Sequence, residues 1–214
     1  MFGRHKTELV TPDRALPGRT EAWFHLADKH VVLDAPVVTD EIPDGFEAAI
    51  FGLGCFWGAE EIYWQKDGVW STSVGYAGGS TPHPSYEEVC SGMTGHTEAV
   101  RVVFDPAVIS YADLVKTFFE VHDPTQGMQQ GNDVGTQYRS ALYTLSEAQR
   151  ETAIELTKVY GDELARRGQG PVTTEIRPAS TYFYAEDVHQ QYLAKNPFGY
   201  RCHANTGVKF PTGA

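Results

Sequence analysis

The chain has 214 residues, of which 41% are hydrophobic and 21% charged, and it carries a formal net charge of −11 at pH 7. That suits one folded domain with a substantial core, or one domain with long arms. The charge argues against nonspecific binding to nucleic acid or to an anionic membrane, and the densest basic pair is only Arg166-Arg167.

Met1 to Asp13 is polar, so no signal peptide is expected. The longest near-continuous apolar run, Ala48 to Ala59, is too short to span a bilayer. The expectation is a cytoplasmic protein. Three cysteines, Cys55, Cys90 and Cys202, fit a reducing compartment as reactive or inert thiols. There is no CxxC and no cysteine–histidine cluster of zinc spacing, so no metal and no bound cofactor is assigned.

In chain order, residues 1–45 carry Pro12, Pro17, Pro36 and Pro43 with little periodicity. They read as an N-terminal arm wrapping the domain, with one short strand at His30–Leu33. From Phe46 the elements alternate: a strand to Leu53, a helix over about Phe56–Lys66, and a strand at Val69–Tyr76. Ser85-Tyr86-Glu87-Glu88 has capping-box form and opens a short helix ending near Gly92. Thr97–Phe104 is a strand. Ser110 opens a helix whose Leu114, Phe118 and His122 share a face, and Asp123-Pro124 ends it. The glycine-bearing loop Thr125–Gln137 is long enough to be functional. A strand at Tyr138–Leu145, a helix from Ser146 to about Arg167, a strand at Thr173–Arg177 and a helix at Glu186–Lys195 complete the domain, 46–195. Residues 196–214 form an irregular, mobile tail. Alternation favours a parallel α/β sheet, but several connections look short and no phosphate-binding glycine loop is present, so α/β and an α+β sandwich both stay open.

Chemistry centres on Gly54-Cys55-Phe56-Trp57-Gly58. A thiol where a strand becomes a helix meets unpaired backbone N–H groups and the positive end of a dipole, and both favour the thiolate. Glu60 and Glu61 push the other way. The plain alternative is a buried cysteine packed as a small hydrophobe. Glu98 shares a strand face with Val100, Val102 and Phe104. On a core-facing side it is a carboxyl of raised pKa and a proton donor near neutral pH; otherwise it is an end-of-strand glutamate in water. Its replacement by Gln is expected to slow the reaction most at higher pH. Tyr86 sits in the first turn of a capped helix, and Asp133 and Tyr138 flank the end of the glycine-bearing loop. His189 is a surface histidine or a base, and Cys90 reads as a packed thiol. Cys202 lies in the loose tail, where a thiol has little packing reason to exist. Paired with a reactive internal thiol, it suits a disulfide relay. The rival reading is a cysteine hydrolase or acyltransferase using Cys55 with His96 or His189 as base.

The pentapeptide at Cys55 is followed in order by Gly75 to Gly79, Tyr86 to Cys90, Gly95 to Val100, His122 to Gln126, Gly131 to Ser140 and Tyr184 to Leu193. This series resembles the A-type peptide methionine sulfoxide reductases across residues 46–200, and the arm looks like that of the longer bacterial members. The resemblance implies an α+β two-layer sandwich around a mixed sheet, related to a ferredoxin-like plait. It implies reduction of the S epimer of methionine sulfoxide, free or in proteins, as repair after oxidative damage. By motif, Cys55 attacks the sulfur, Glu98 protonates the oxygen, and Tyr86 and Tyr138 donate hydrogen bonds to it. Phe56 and Trp57 enclose the methyl group, and Asp133 and His189 face the polar part of the substrate. Cys202 resolves the sulfenic acid, and an external dithiol such as a thioredoxin-like protein completes turnover of a monomer. The tail departs from the two-cysteine pattern of many bacterial members, so a relay through it has one step only. That leaves thioredoxin, glutaredoxin and low-molecular-weight thiols open as reductant.

Overall fold

The computed structural model describes residues 6–202 and 204–212. Residues 1–5 of the expected arm and 203, 213 and 214 of the expected tail lie outside them. The elements run β1 (Glu47–Leu53), α1 (Phe56–Trp64), β2 (Val69–Ala77), α2 (Tyr86–Cys90), β3 (Thr97–Phe104) and α3 (Tyr111–Val121). A small hairpin of β4 (Gln129–Gln130) and β5 (Asp133–Val134) follows, then β6 (Ser140–Thr144) and α4 (Glu147–Arg166). The last elements are β7 (Glu175–Pro178), β8 (Phe183–Tyr184) and α5 (Tyr192–Lys195). Serine hydroxyls cap three helices: Ser85 and Ser110 form capping boxes with Glu88 and Asp113, and Ser146 accepts from the Gln149 N–H.

Six strands form one mixed sheet in the order β7-β6-β1-β3-β2-β8, antiparallel except for the β6–β7 pair. Period-two alternation sorts its faces. Ala49, Phe51 and Leu53 of β1, Val100, Val102 and Phe104 of β3 and Leu142 of β6 form one core with α1, α3 and α4. Ile50, Ala99, Ala141 and Tyr143 pack on the other side with Ala179 and Tyr182. The arm touches both faces: His30 bonds Thr72 on the helical side (2.8 Å), and Arg101 on the other donates to the hydroxyl and carbonyl of Thr39 (3.0 and 2.8 Å). Among the described residues no helix is long and apolar enough to cross a membrane.

Three expected elements differ. His30–Leu33 is not a strand, because the His30 Nδ1 accepts the N–H groups of Val32 and Leu33 and closes a turn inside a Lys29–Pro36 bridge. Tyr138 ends a 3₁₀ turn, Thr136–Tyr138, and the strand begins at Ser140. The helix expected over Glu186–Lys195 is a 3₁₀ turn at Asp187–His189, a left-handed Gln191 (φ 47°) and the short α5. Tertiary hydrogen bonds override its helical pattern: the Gln191 N–H goes to Glu60, and the Gln190 amide is spent on Val74 and Ala185.

Phe51 is fully buried and stacks on Tyr63 with ring centres 4.9 Å apart. Phe51→Ala is expected to lower the unfolding free energy by about 3–5 kcal/mol, read as a lower urea midpoint at unchanged slope. Val108→Ala, at a site 61% exposed, is expected to change it by less than about 0.5 kcal/mol. Equal midpoints for the two would contradict the core assignment.

Candidate active site

Cys55 is the N-cap of α1, delivered by β1 through Gly54. Gly54 has φ +93°, and a Cβ there would lie 2.8 Å from the Gln130 side chain, so only glycine fits. The backbone N–H groups of Trp57 and Gly58 point at the Cys55 sulfur and favour the thiolate, as the helix start implies. They do not win. Burial, followed by the neighbouring Glu98 charge, pushes the thiol well above its ordinary range. The lowering expected from the strand-to-helix junction is thus outweighed in the resting site.

The opposing group is Glu98. It is buried at the start of β3 on the Val100 face, and its Oε2 accepts the Phe56 N–H at 3.0 Å. Its Oε1 is buried without a protein partner. Burial pushes the carboxyl up to about 8, against the lowering effect of the Phe56 N–H. The core-facing alternative read from the strand pattern is the one realised. Thiol and carboxyl therefore disfavour each other's ionisation, and near neutral pH the resting site keeps the proton on both.

Around this pair stands an aromatic wall. Phe56 is buried, and Trp57 stacks on Tyr192 with centres 4.0 Å apart. The Trp57 Nε1–H donates to His189 Nδ1 at 3.3 Å, and His189 lies 4.4 Å from the Tyr86 ring centre. His189 is buried, and burial lowers its pKa, so it serves here as a neutral acceptor that orients the indole. Tyr86 and Tyr138 are half-buried, and burial followed by the Glu98 charge raises both phenols, which keeps them as O–H donors. Asp133, raised by burial, accepts from the Tyr200 hydroxyl at 3.1 Å.

The tail passes this site and is held at several points. Arg201 forks onto Glu61 of α1 (2.6 and 2.7 Å), and Cys202 Sγ donates to the Gln130 carbonyl at 3.4 Å. Val208 and Phe210 are buried, with Phe210 stacked on Tyr160. Gln130 thus touches both the Gly54 turn before Cys55 and the Cys202 thiol. All three cysteines are free thiols. Cys90 ends α2, shares a hydrogen bond with Tyr86, and is pushed up to about 11, first by burial and then by Glu98.

Several supporting residues escaped sequence reasoning. Glu186 accepts from the Tyr76 hydroxyl (2.9 Å) and the Tyr86 N–H (2.8 Å), which fixes the start of α2. Glu60 is buried and accepts from the Gln191 N–H, the Gln191 amide and the Thr72 hydroxyl. Burial raises it to about 7. Tyr192 completes the wall. Their only advance signal is that all but Glu60 lie in the Tyr184 to Leu193 motif. His96 is not placed to act as a base, because its ring nitrogens are engaged by the Gly79 N–H and the Thr81 carbonyl.

The family profile described as Peptide methionine sulfoxide reductase matches residues 47–211. A Synechocystis protein named Peptide methionine sulfoxide reductase MsrA 1 is 56% identical over 213 residues, covering 100% of this chain and 95% of that one. The chain belongs to this family. Among solved structures, methionine sulfoxide reductase A of Corynebacterium diphtheriae superposes with a TM-score of 0.85 at 46% identity, over 95% of this chain and 99% of that one. Reduced Mxr1 from Saccharomyces cerevisiae gives 0.68 at 37% identity, over 76% and 92%. The chain is thus an oxidoreductase acting on methionine sulfoxide, with the stress and repair roles of its family.

With a carboxyl near 8, the advantage of an acid at position 98 is largest at lower pH. Glu98→Gln is expected to slow single-turnover reduction by about 10²–10⁴-fold below pH 8, the gap closing as wild-type Glu98 loses its proton. This reverses the pH dependence expected from sequence. A ratio of rates within about threefold at every pH would remove Glu98 from proton transfer.

Proposed function

We propose that the chain reduces the S epimer of methionine sulfoxide, free and protein-bound, by attack of the Cys55 thiolate on sulfur. The observation that carries this reading is the Cys55 thiol at a helix start beside a buried Glu98 whose second oxygen has no protein partner. Sulfoxide oxygen leaves only when protonated, and a dry carboxyl opposite a thiolate supplies that proton. The proton sits on Glu98 while Cys55 is the thiolate and passes to the oxygen as the Cys55 Sγ–S bond forms; that S–S bond and the old S–O bond then break as an Sγ–O bond forms, and an electron pair returns to the methionine sulfur. Methionine departs, and Cys55 is left as a sulfenic acid. Tyr86 and Tyr138 donate to the oxygen as its negative charge grows.

Stereochemistry follows from three different surroundings. A pyramidal sulfoxide carries an oxygen, a methyl group and the main side chain, with the thiolate approaching opposite the oxygen. The hydroxyl and carboxyl corner takes the oxygen, Phe56 and Trp57 take the methyl, and the third direction, edged by Asp133 and His189, takes the chain. Only one hand satisfies all three, and the family resemblance assigns it as S.

Cys202 then attacks the sulfenic acid, forming a disulfide with Cys55 and releasing water. Its support is the shared contact with Gln130, which keeps the tail beside the Gly54 turn. An external dithiol of thioredoxin type reduces the disulfide, no bound cofactor takes part, and the chain works as a monomer. Free thiols suit a reducing, cytoplasmic setting. We assign residues 1–45 to a wrapping arm, 46–195 to the catalytic domain and 196–214 to the resolving tail. The order β6-β1-β3-β2, with α1 and α3 as crossovers, supports a ferredoxin-like plait at its centre.

Thiol counting tests the cycle. With excess sulfoxide and no reductant, wild type is expected to go from its three free thiols to one. Cys90→Ser should go from two to none, and Cys202→Ser from two to one with a sulfenic acid trapped by dimedone. If Cys202→Ser loses both thiols and traps nothing, Cys90 resolves in its place. Resolved epimers of N-acetylmethionine sulfoxide test the hand, and turnover of the R form at the rate of the S form would overturn it.

A further inference from the structure

The N-terminal arm builds a wall of a cleft that adjoins the site. Gly18 (φ +70°) lets the arm turn tightly against Pro82, where a Cβ would meet the Pro82 carbonyl at 2.2 Å. Arg19 then forks onto Glu88 of α2 at 2.6 and 3.1 Å. Eight residues on, the Ala27 N–H donates to Asp187 in the 3₁₀ turn at 2.8 Å. The span from Arg19 to Ala27 therefore bridges the two elements that carry Tyr86 and His189. Beneath it lies a cleft of about 530 Å³ lined by Arg19, Trp23, Tyr86, Glu87, Val188 and His189 among others. Two of its walls, Tyr86 and His189, are also walls of the candidate active site.

Trp23 and Val188 are large apolar residues left 58% and 61% exposed on this cleft. Trp23 meets Phe24 edge to face (centres 5.6 Å apart), which leaves most of its surface open to the cleft. Resting on the reading that this chain reduces protein-bound methionine sulfoxide, we propose that the Trp23 span and the Asp187–His189 turn form a subsite for the substrate polypeptide. It seats the apolar side chain next to the oxidised methionine in an unfolded segment. Continuity with the site sets the occupant, since a chain leaving the sulfoxide past Tyr86 and His189 enters this cleft. Its volume falls in the range of ligand pockets. Charge narrows the choice. Arg19 is paired with Glu88, Glu87 is exposed on the rim, and the whole chain carries −11, so acidic neighbours are disfavoured and basic or neutral ones accepted.

The test compares kcat/KM of the full chain on N-acetylmethionine sulfoxide amide and on short peptides with the sulfoxide between Phe, Gly or Glu residues. Wild type is expected to prefer the Phe-flanked peptide over the Gly-flanked one and to use the Glu-flanked one worst. Trp23→Ala and, from the opposite wall, Val188→Ser should each lower kcat/KM on the Phe-flanked peptide, by about tenfold for Trp23→Ala, through KM. The small amide should stay within about twofold, since neither residue lies against Cys55 or Glu98. Trp23→Phe should restore most of the preference. An equal loss on amide and peptide, or no loss on either, would overturn the subsite and leave the reductase reading standing. A wild type that reduces none of these sulfoxides would overturn both.

Discussion

The site depends on one hydrogen bond, from the Phe56 N–H to Glu98 Oε2. It ties the first turn of α1 to the first residues of β3 and so sets the thiol of residue 55 and the carboxyl of residue 98 against each other. The bond alone would favour an ionised carboxylate. Burial is the stronger effect, and the second oxygen has no donor in the protein, so the carboxyl keeps its proton to about 8. The same dryness raises the thiol. Both groups rest protonated near neutral pH, and in the proposed mechanism the thiol gives up its proton while the carboxyl keeps its own for the sulfoxide oxygen.

The surrounding structure keeps that pair in register. The Gly54 turn closes against Gln130, whose amide is bonded to Asp123 on both its oxygen and its nitrogen. Glu186 fixes the N-terminus of α2 and thereby Tyr86. Glu60, inside the same helix that Cys55 caps, holds Gln191 in its left-handed conformation, and His189, two residues before it, and Tyr192, directly after it, then meet Trp57. The aromatic wall is thus positioned by two carboxylates behind it, Glu60 fully buried and Glu186 half-buried.

The parts of this arrangement that repeat locally could be read in advance. Alternation in Thr97–Phe104 put Glu98 on the Val100 face, and serine followed by an acid three residues on marked α2 and α3. Motif order named Phe56, Trp57, Tyr86 and His189, which the fold brings into one aromatic cluster. What could not be read is tertiary. The Glu186–Lys195 stretch has a helical composition, but its amides and N–H groups are claimed by Val74, Ala185 and Glu60 from distant parts of the chain. The thiol direction also failed, because the helix-start argument counts local dipoles while burial and a carboxyl 43 residues away decide the sign. Glu60 read as a charge near the thiol, yet it points into the core.

The central claim concerns the protonation of Glu98, and the most direct measurement is its titration. Carbon-13 NMR of side-chain carboxyls in glutamate-labelled protein, with the Glu98→Gln variant to assign the signal, reads it without reference to turnover. The account expects a midpoint at about 8. A midpoint near the ordinary glutamate value of about 4.3 would mean that Glu98 is an ionised carboxylate at neutral pH and cannot be the proton donor.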